Sequence, residues 1–165
     1  MTITGVHLEQ VPATSDVFAS CTQLMGFGIA KLYRLGYTEN VPRNLTGAEW
    51  SPVQFFHGTG HCGCVALHMN LTMSDKIETP SWCSSPKCAV RGILNHGYVF
   101  QYRIGHYFSP YGITALEYAR NKAPGQRYHG IFLCQARNFT VSDPTERYVT
   151  RNEDLHPVFL AIVRN

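Results

Sequence analysis

The stretch from residue 128 to the C-terminus constrains the fold most. Residues 128–139, 146–151 and 158–164 are rich in aliphatic, aromatic and β-branched side chains, and the dipeptides Asp143-Pro144 and His156-Pro157 separate them. They read as three strands joined by turns. Strand character also occurs near the N-terminus, where Ile3, Val6, Leu8 and Val11 are apolar until Pro12 breaks the run, and at 53–56. Helical patterns lie between. Ser15-Asp16 caps one with Val17, Phe18, Cys21, Leu24 and Met25 on a single face, closed by Gly26 and Gly28. Residues 88–95 turn Val90, Ile93 and Leu94 inward, with Gly97 as a stop, and 114–122 pack Ala115, Leu116, Tyr118 and Ala119. Residues 36–52, rich in Gly, Asn, Pro and Thr, read as a loop. Strands flank a few helices without alternating regularly with them, which predicts an α+β fold with largely antiparallel sheets.

At 165 residues the chain has the size of one domain with its own core, and no repeat or linker divides 1–165. Only 15% of residues are charged, which argues against disorder and against a coiled coil. A net charge of +3 does not by itself demand nucleic acid, but suits an anionic small molecule. No segment approaches the roughly 18 consecutive apolar residues of a membrane span. The N-terminus has neither a basic region nor an apolar signal core, so an intracellular protein of cytoplasm or nucleus is expected.

Three short motifs carry the chemistry. The apolar run into Gln54-Phe-Phe-His-Gly-Thr59 delivers His57 and Gly58 into a loop. Gly105-His106-Tyr107-Phe108-Ser109 follows, and Glu146 opens the late strand Glu-Arg-Tyr-Val-Thr. In this order and spacing they resemble the catalytic signature of the poly(ADP-ribose) polymerase-like ADP-ribosyltransferases. Other stretches are similar to that family too. They are Gly5-Val6-His7-Leu8-Glu9-Gln10-Val11 with the helix bearing Phe18, Ile93-Leu94 with Gly97-Tyr98, Ile131-Phe132-Leu133-Cys134, and Asp154, Pro157, Phe159 and Leu160 behind Glu146. The resemblance covers most of the chain except residues 60–90, which form an insert.

The resemblance implies a fold of two small, mainly antiparallel β-sheets forming an NAD cleft. It implies an enzyme that consumes NAD, releases nicotinamide and passes ADP-ribose to a protein or nucleic-acid acceptor. The small size and altered loops favour transfer of a single unit. By the same resemblance His57 binds ribose hydroxyls and the Gly58 backbone pairs with the nicotinamide amide. Tyr107 and Tyr118, eleven positions apart, flank the nicotinamide ring, and Glu146 is catalytic. Thr59 stands with the ribose-binding motif, and Arg103 is close enough in sequence to reach an NAD phosphate. The chemistry asks for these types. Cleaving the glycosidic bond of NAD develops positive charge on the ribose, which a carboxylate stabilises, while aromatic faces and backbone groups hold the flat carboxamide. Two departures stand out. Ala115 occupies the position, eight after the motif tyrosine, where the family carries a serine, and Thr114 beside it is expected to point elsewhere. The segment 99–103 before Tyr107 is short. No glycine-rich phosphate loop of the dehydrogenase or kinase kind is present.

Four of the six cysteines cluster in the insert as Cys62-x-Cys64 and Cys83-x4-Cys88. Four thiolates in two pairs suit a structural zinc, with His61 and His68 as substitute ligands. Cys21 and Cys134 read as ordinary buried thiols. Three other readings of the chain stand beside the transferase. One is a catalytically inactive NAD- or ADP-ribose-binding module, suggested by Ala115. Another is a zinc-stabilised interaction domain working through the insert. The third is an RNA 2′-phosphotransferase, which Glu146 argues against.

Overall fold

The computed structural model of the chain describes residues 7–36, 45–69, 77–78, 83, 88–96 and 105–165. In chain order the elements are β1 (His7–Gln10), α1 (Asp16–Met25), β2 (Lys31–Gly36), β3 (Phe55–Thr59), α2 (Cys64–Met69), β4 (Ile77–Glu78), α3 (Ala89–His96), β5 (His106–Phe108), α4 (Gly112–Lys122), β6 (Tyr128–Ala136), β7 (Thr140–Asp143), β8 (Glu146–Val149), a 3-10 turn (Asn152–Asp154) and β9 (Leu155–Arg164). Six strands form one sheet in the order β3-β6-β9-β2-β1-β4, and three form a second in the order β5-β8-β7. Every pairing is antiparallel. The molecule is thus α+β with two antiparallel sheets and few helices.

The central strands β6 and β9 explain the apolar runs that end the chain. Phe132, Cys134, Leu160 and Ile162 face one core, which α2 and α3 cover with Cys64, Val65, Val90 and Leu94. Ile131, Leu133, Ala161 and Val163 face a second core, covered from α1 and α4 by Cys21, Met25, Ala115 and Leu116. A strand buried on both faces has no polar side to show, so period-2 alternation disappears and a continuous apolar run remains.

Local chemistry sets the ends of the elements. Ser15 caps α1, its Oγ accepting from the Phe18 N–H at 3.2 Å, and Gly26 closes the helix at φ +86°. Leu24, expected on the buried face, is instead 46% exposed. The α1 face is narrower than the apolar pattern suggests, with only Cys21 and Met25 fully buried. His156-Pro157 does not interrupt the last strand. A bulge at Val158 shifts the β6–β9 register so that Cys134 faces Pro157, and β9 continues through it.

Among the described residues the two sheets are joined where β3 meets β5. Phe56 in β3 and Ser109, just after β5, exchange both backbone hydrogen bonds, at 2.8 and 2.9 Å. Phe55, Phe108 and Phe139 stack edge-to-face beside it, with ring centroids 5.0–6.0 Å apart.

Candidate functional site

His57 and Gly58 lie inside β3 and not in a loop beyond it, because β3 stays paired to β6 through Thr59. This correction matters for what Gly58 offers. β3 is the edge strand of its sheet. Backbone groups two residues apart in a strand point the same way. Phe56 turns its N–H and C=O away from β6 to Ser109, so Gly58 presents its own N–H and C=O to that same open edge. A cavity of about 350 Å³ lies there, lined by Phe56, Gly58, Tyr107, Ser109, Thr114, Ala115, Tyr118, Lys122, Thr145 and Glu146 among others. A second, of about 480 Å³, is lined by His57, Gly58, Thr59, Gly60, His61, Cys62, Ala89, Tyr118 and Lys122. Gly58, Tyr118 and Lys122 belong to both walls, so the two compartments meet along them.

Gly58 is also where α4 touches β3. A Cβ there would stand 1.9 Å from the Ala115 carbonyl oxygen. Close approach of the helix backbone brings Thr114, Ala115, Tyr118 and Lys122 to the strand edge. Thr114 lines the first compartment with Ala115, contrary to the expectation that it points elsewhere. Tyr118 was expected to pack in the helix interface, yet it is 49% exposed, so a ring face is open to a ligand. Lys122 Nζ lies 5.4 Å from that ring's centroid. Ala115 itself is buried.

The opposite wall comes from the second sheet. Tyr107 pairs with Tyr148 across β5 and β8, with ring centroids 5.5 Å apart. Its backbone carbonyl accepts from His57 Nδ1–H at 2.9 Å, which ties β3 to β5 and leaves the Nε2 lone pair as the acceptor of the ring. Burial, chiefly, lowers the His57 pKa to about 4, against the Tyr107 hydrogen bond and with His106 adding to it. The ring is therefore neutral near pH 7. Glu146 begins β8. A bulge at Ser142 in β7 turns the serine hydroxyl to donate to Glu146 Oε1 and to its carbonyl, both at 3.1 Å. The turn before it is held by Asp143 Oδ1, which accepts from the Thr145 N–H at 2.7 Å and hydroxyl at 2.9 Å.

The four insert cysteines converge. The Sγ atoms of Cys62, Cys64, Cys83 and Cys88 all lie within 4.8 Å of one another, with Cys62–Cys83 at 3.2 Å and Cys64–Cys88 at 3.5 Å. None forms a disulfide. Sulfurs around a tetrahedral zinc at about 2.3 Å stand about 3.8 Å apart, so the spacing and the donor type both fit that ion. The Cys88 thiol is pulled down to about 4, first by the neighbouring Cys64, against burial, with the Arg91 and Cys62 amides helping. His61 is no substitute ligand. Its Nδ1 accepts from the Gly63 N–H at 3.0 Å and its Nε2–H donates to the Tyr128 carbonyl at 2.8 Å, so both nitrogens are engaged. Arg103 and the side chain of His68 lie outside the described residues.

The site therefore gathers His57, Gly58, Thr59, Tyr107, Tyr118 and Glu146, with Cys62 of the cluster at its border. Sequence reasoning quoted Ser109 within its motif without giving it a role, set Thr114 aside, and missed Lys122 and Thr145. Only the helical spacing of Thr114, Tyr118 and Lys122, at i, i+4 and i+8, could have signalled part of that set. A carboxylate, several hydroxyls, two tyrosine rings, an open backbone edge and one ammonium can hold a flat polar ligand that carries an anionic group. No protein-family model matches the chain, and no curated protein matches it.

Proposed function

We propose that the chain is an NAD-dependent ADP-ribosyltransferase of the poly(ADP-ribose) polymerase-like fold, moving single ADP-ribose units to a protein or nucleic-acid acceptor. The observation that carries the reading is the joint cleft. Gly58, Tyr107, Tyr118 and Glu146, far apart in sequence, line one compartment, and His57 and Thr59 line its neighbour. NAD is the substrate. The Gly58 N–H and C=O pair with the carboxamide of nicotinamide, and Tyr107 and Tyr118 give its ring aromatic surfaces. His57 and Thr59 serve the ribose. The bond from the ribose anomeric carbon to the nicotinamide nitrogen breaks with both electrons going to the ring, which leaves as neutral nicotinamide. Glu146 stabilises the cationic sugar and draws the proton from the acceptor nucleophile as it bonds to the anomeric carbon. Ser142 holds that carboxylate in place. Thr114 and Ser109 supply hydroxyls near the position where Ala115 has none. The four cysteines are read as a structural zinc site that ties Cys62 and Cys64, around the start of α2, to Cys83 and to Cys88 at the start of α3.

Nicotinamide release from NAD, measured for wild type and Glu146→Gln with cell lysate as acceptor source, tests the reading. Release that requires Glu146, with ADP-ribose appearing on a macromolecule, is the expected result. Unchanged turnover in Glu146→Gln would remove the mechanism. Ala115 favours one second reading, a module that binds NAD or ADP-ribose without chemistry. Saturable NAD binding with no release by wild type would select it.

A further inference from the structure

The two compartments differ in charge. Among the described residues the first has one carboxylate in its wall, Glu146, and the second has none. Lys122 is the only lysine or arginine among the described residues lining either, and it lines both. Its place is fixed by packing. A Cβ on Gly60 would lie 3.3 Å from Lys122 Cβ and 3.4 Å from its carbonyl oxygen, so the last turn of α4 sits directly on the end of β3. From there the side chain reaches back over Tyr118. Among the described residues it has no carboxylate partner. The His57 imidazole brings no competing charge, since its ring is held by Nδ1–H donation to the Tyr107 carbonyl and burial chiefly lowers its pKa to about 4. An ammonium with its stem anchored and its head unneutralised, at the boundary between two ligand-sized spaces, is a point-charge receptor for an anion.

We propose that Lys122 binds the diphosphate that links the two halves of a dinucleotide, one half in each compartment. This rests on the reading of the cleft as an NAD site and assigns the part of the substrate which that reading leaves without a partner. The two halves of such a ligand are uncharged or singly charged ring systems joined by a dianionic linker. With the nicotinamide half beside Gly58, Tyr107 and Glu146, the linker crosses the shared wall where Lys122 stands. The site then selects for dinucleotides and ADP-ribose over uncharged nucleosides. It also makes affinity for the intact substrate depend on salt, while affinity for nicotinamide alone does not.

Calorimetric titration of the full chain with ADP-ribose and, separately, with nicotinamide tests this for wild type, Lys122→Gln and Lys122→Arg. Lys122→Gln is expected to weaken ADP-ribose by about tenfold to a hundredfold, as loss of one charge-assisted hydrogen bond does, and to leave nicotinamide unchanged. Lys122→Arg is expected to recover most of the loss. Equal ADP-ribose affinity in wild type and Lys122→Gln would overturn the role of Lys122 and leave the function standing. Parallel loss of both ligands in Lys122→Gln would overturn it too, by marking Lys122 as a support for Tyr118. If wild type binds neither ligand, the NAD reading itself fails and this inference falls with it.

Discussion

Gly58 is where packing and chemistry make the same demand. Its missing side chain lets the Ala115 carbonyl approach, and its backbone faces the cleft. Gly58→Ala forces a methyl into a space already held by helix backbone, which cannot swing aside as a long side chain can. The expected cost is about 1–3 kcal/mol of folding stability, read by urea denaturation, together with loss of NAD binding as α4 lifts off β3. Stability within about 0.5 kcal/mol of wild type would show that the contact relaxes freely. A motif that names a glycine carries this information because few side chains fit. Thr114 and Lys122 carried no such mark. A threonine and a lysine on an 11-residue helix are ordinary surface choices, and only the depth at which α4 meets the strand edge makes them part of a wall.

Elements were legible where one face or one end decided them. The Ser15 cap and Gly26 stop bound α1 within the expected residues, α3 buries Val90 and Leu94, and α4 buries Ala115, Leu116 and Ala119 as expected but not Tyr118. Strands β6 and β9 were legible as apolar runs. β2 was not, since Lys31 and Arg34 interrupt Leu32, Tyr33 and Leu35, and it exists because β1 and β9 pair with its two edges. β7 is exposed along its whole length and exists through its pairing with β8. α2 is six residues long, too short for periodicity to speak. The bulge in β7 was likewise invisible, and it positions Glu146. Ser142→Ala removes the hydroxyl that holds the carboxylate. It is expected to lower nicotinamide release about three- to tenfold with NAD affinity unchanged, in line with one charge-assisted hydrogen bond weakened by solvent at an exposed position. A drop in affinity of the same size would show that Ser142 acts on binding and not on the orientation of Glu146.

At the scale of the whole molecule the α+β class could be read from the order of patterns, whereas the division into two antiparallel sheets followed from the family resemblance alone, because local pattern does not reveal β5, a three-residue strand. The cysteine cluster is the other long-range fact. It ties residues 62–64 to 83 and 88, which connects the rim of the second compartment to α3. If four thiolates hold zinc there, the purified chain carries about one zinc per molecule, and a strong chelator lowers its melting temperature by several degrees. Metal-free protein with an unchanged melting temperature would show that the cluster needs no ion. No helix among the described residues is long and apolar enough to cross a membrane. The joint at Phe56 and Ser109 has a mechanical meaning. One jaw carries Gly58, Tyr118 and Lys122, the other Tyr107, Thr145 and Glu146, and among the described residues they are coupled by the Phe56–Ser109 backbone pair and the His57–Tyr107 hydrogen bond. A ligand lying between the jaws works as a further fastener across the cleft. Its grip and the resistance of that joint to opening are then two measures of one equilibrium, so whatever tightens one tightens the other.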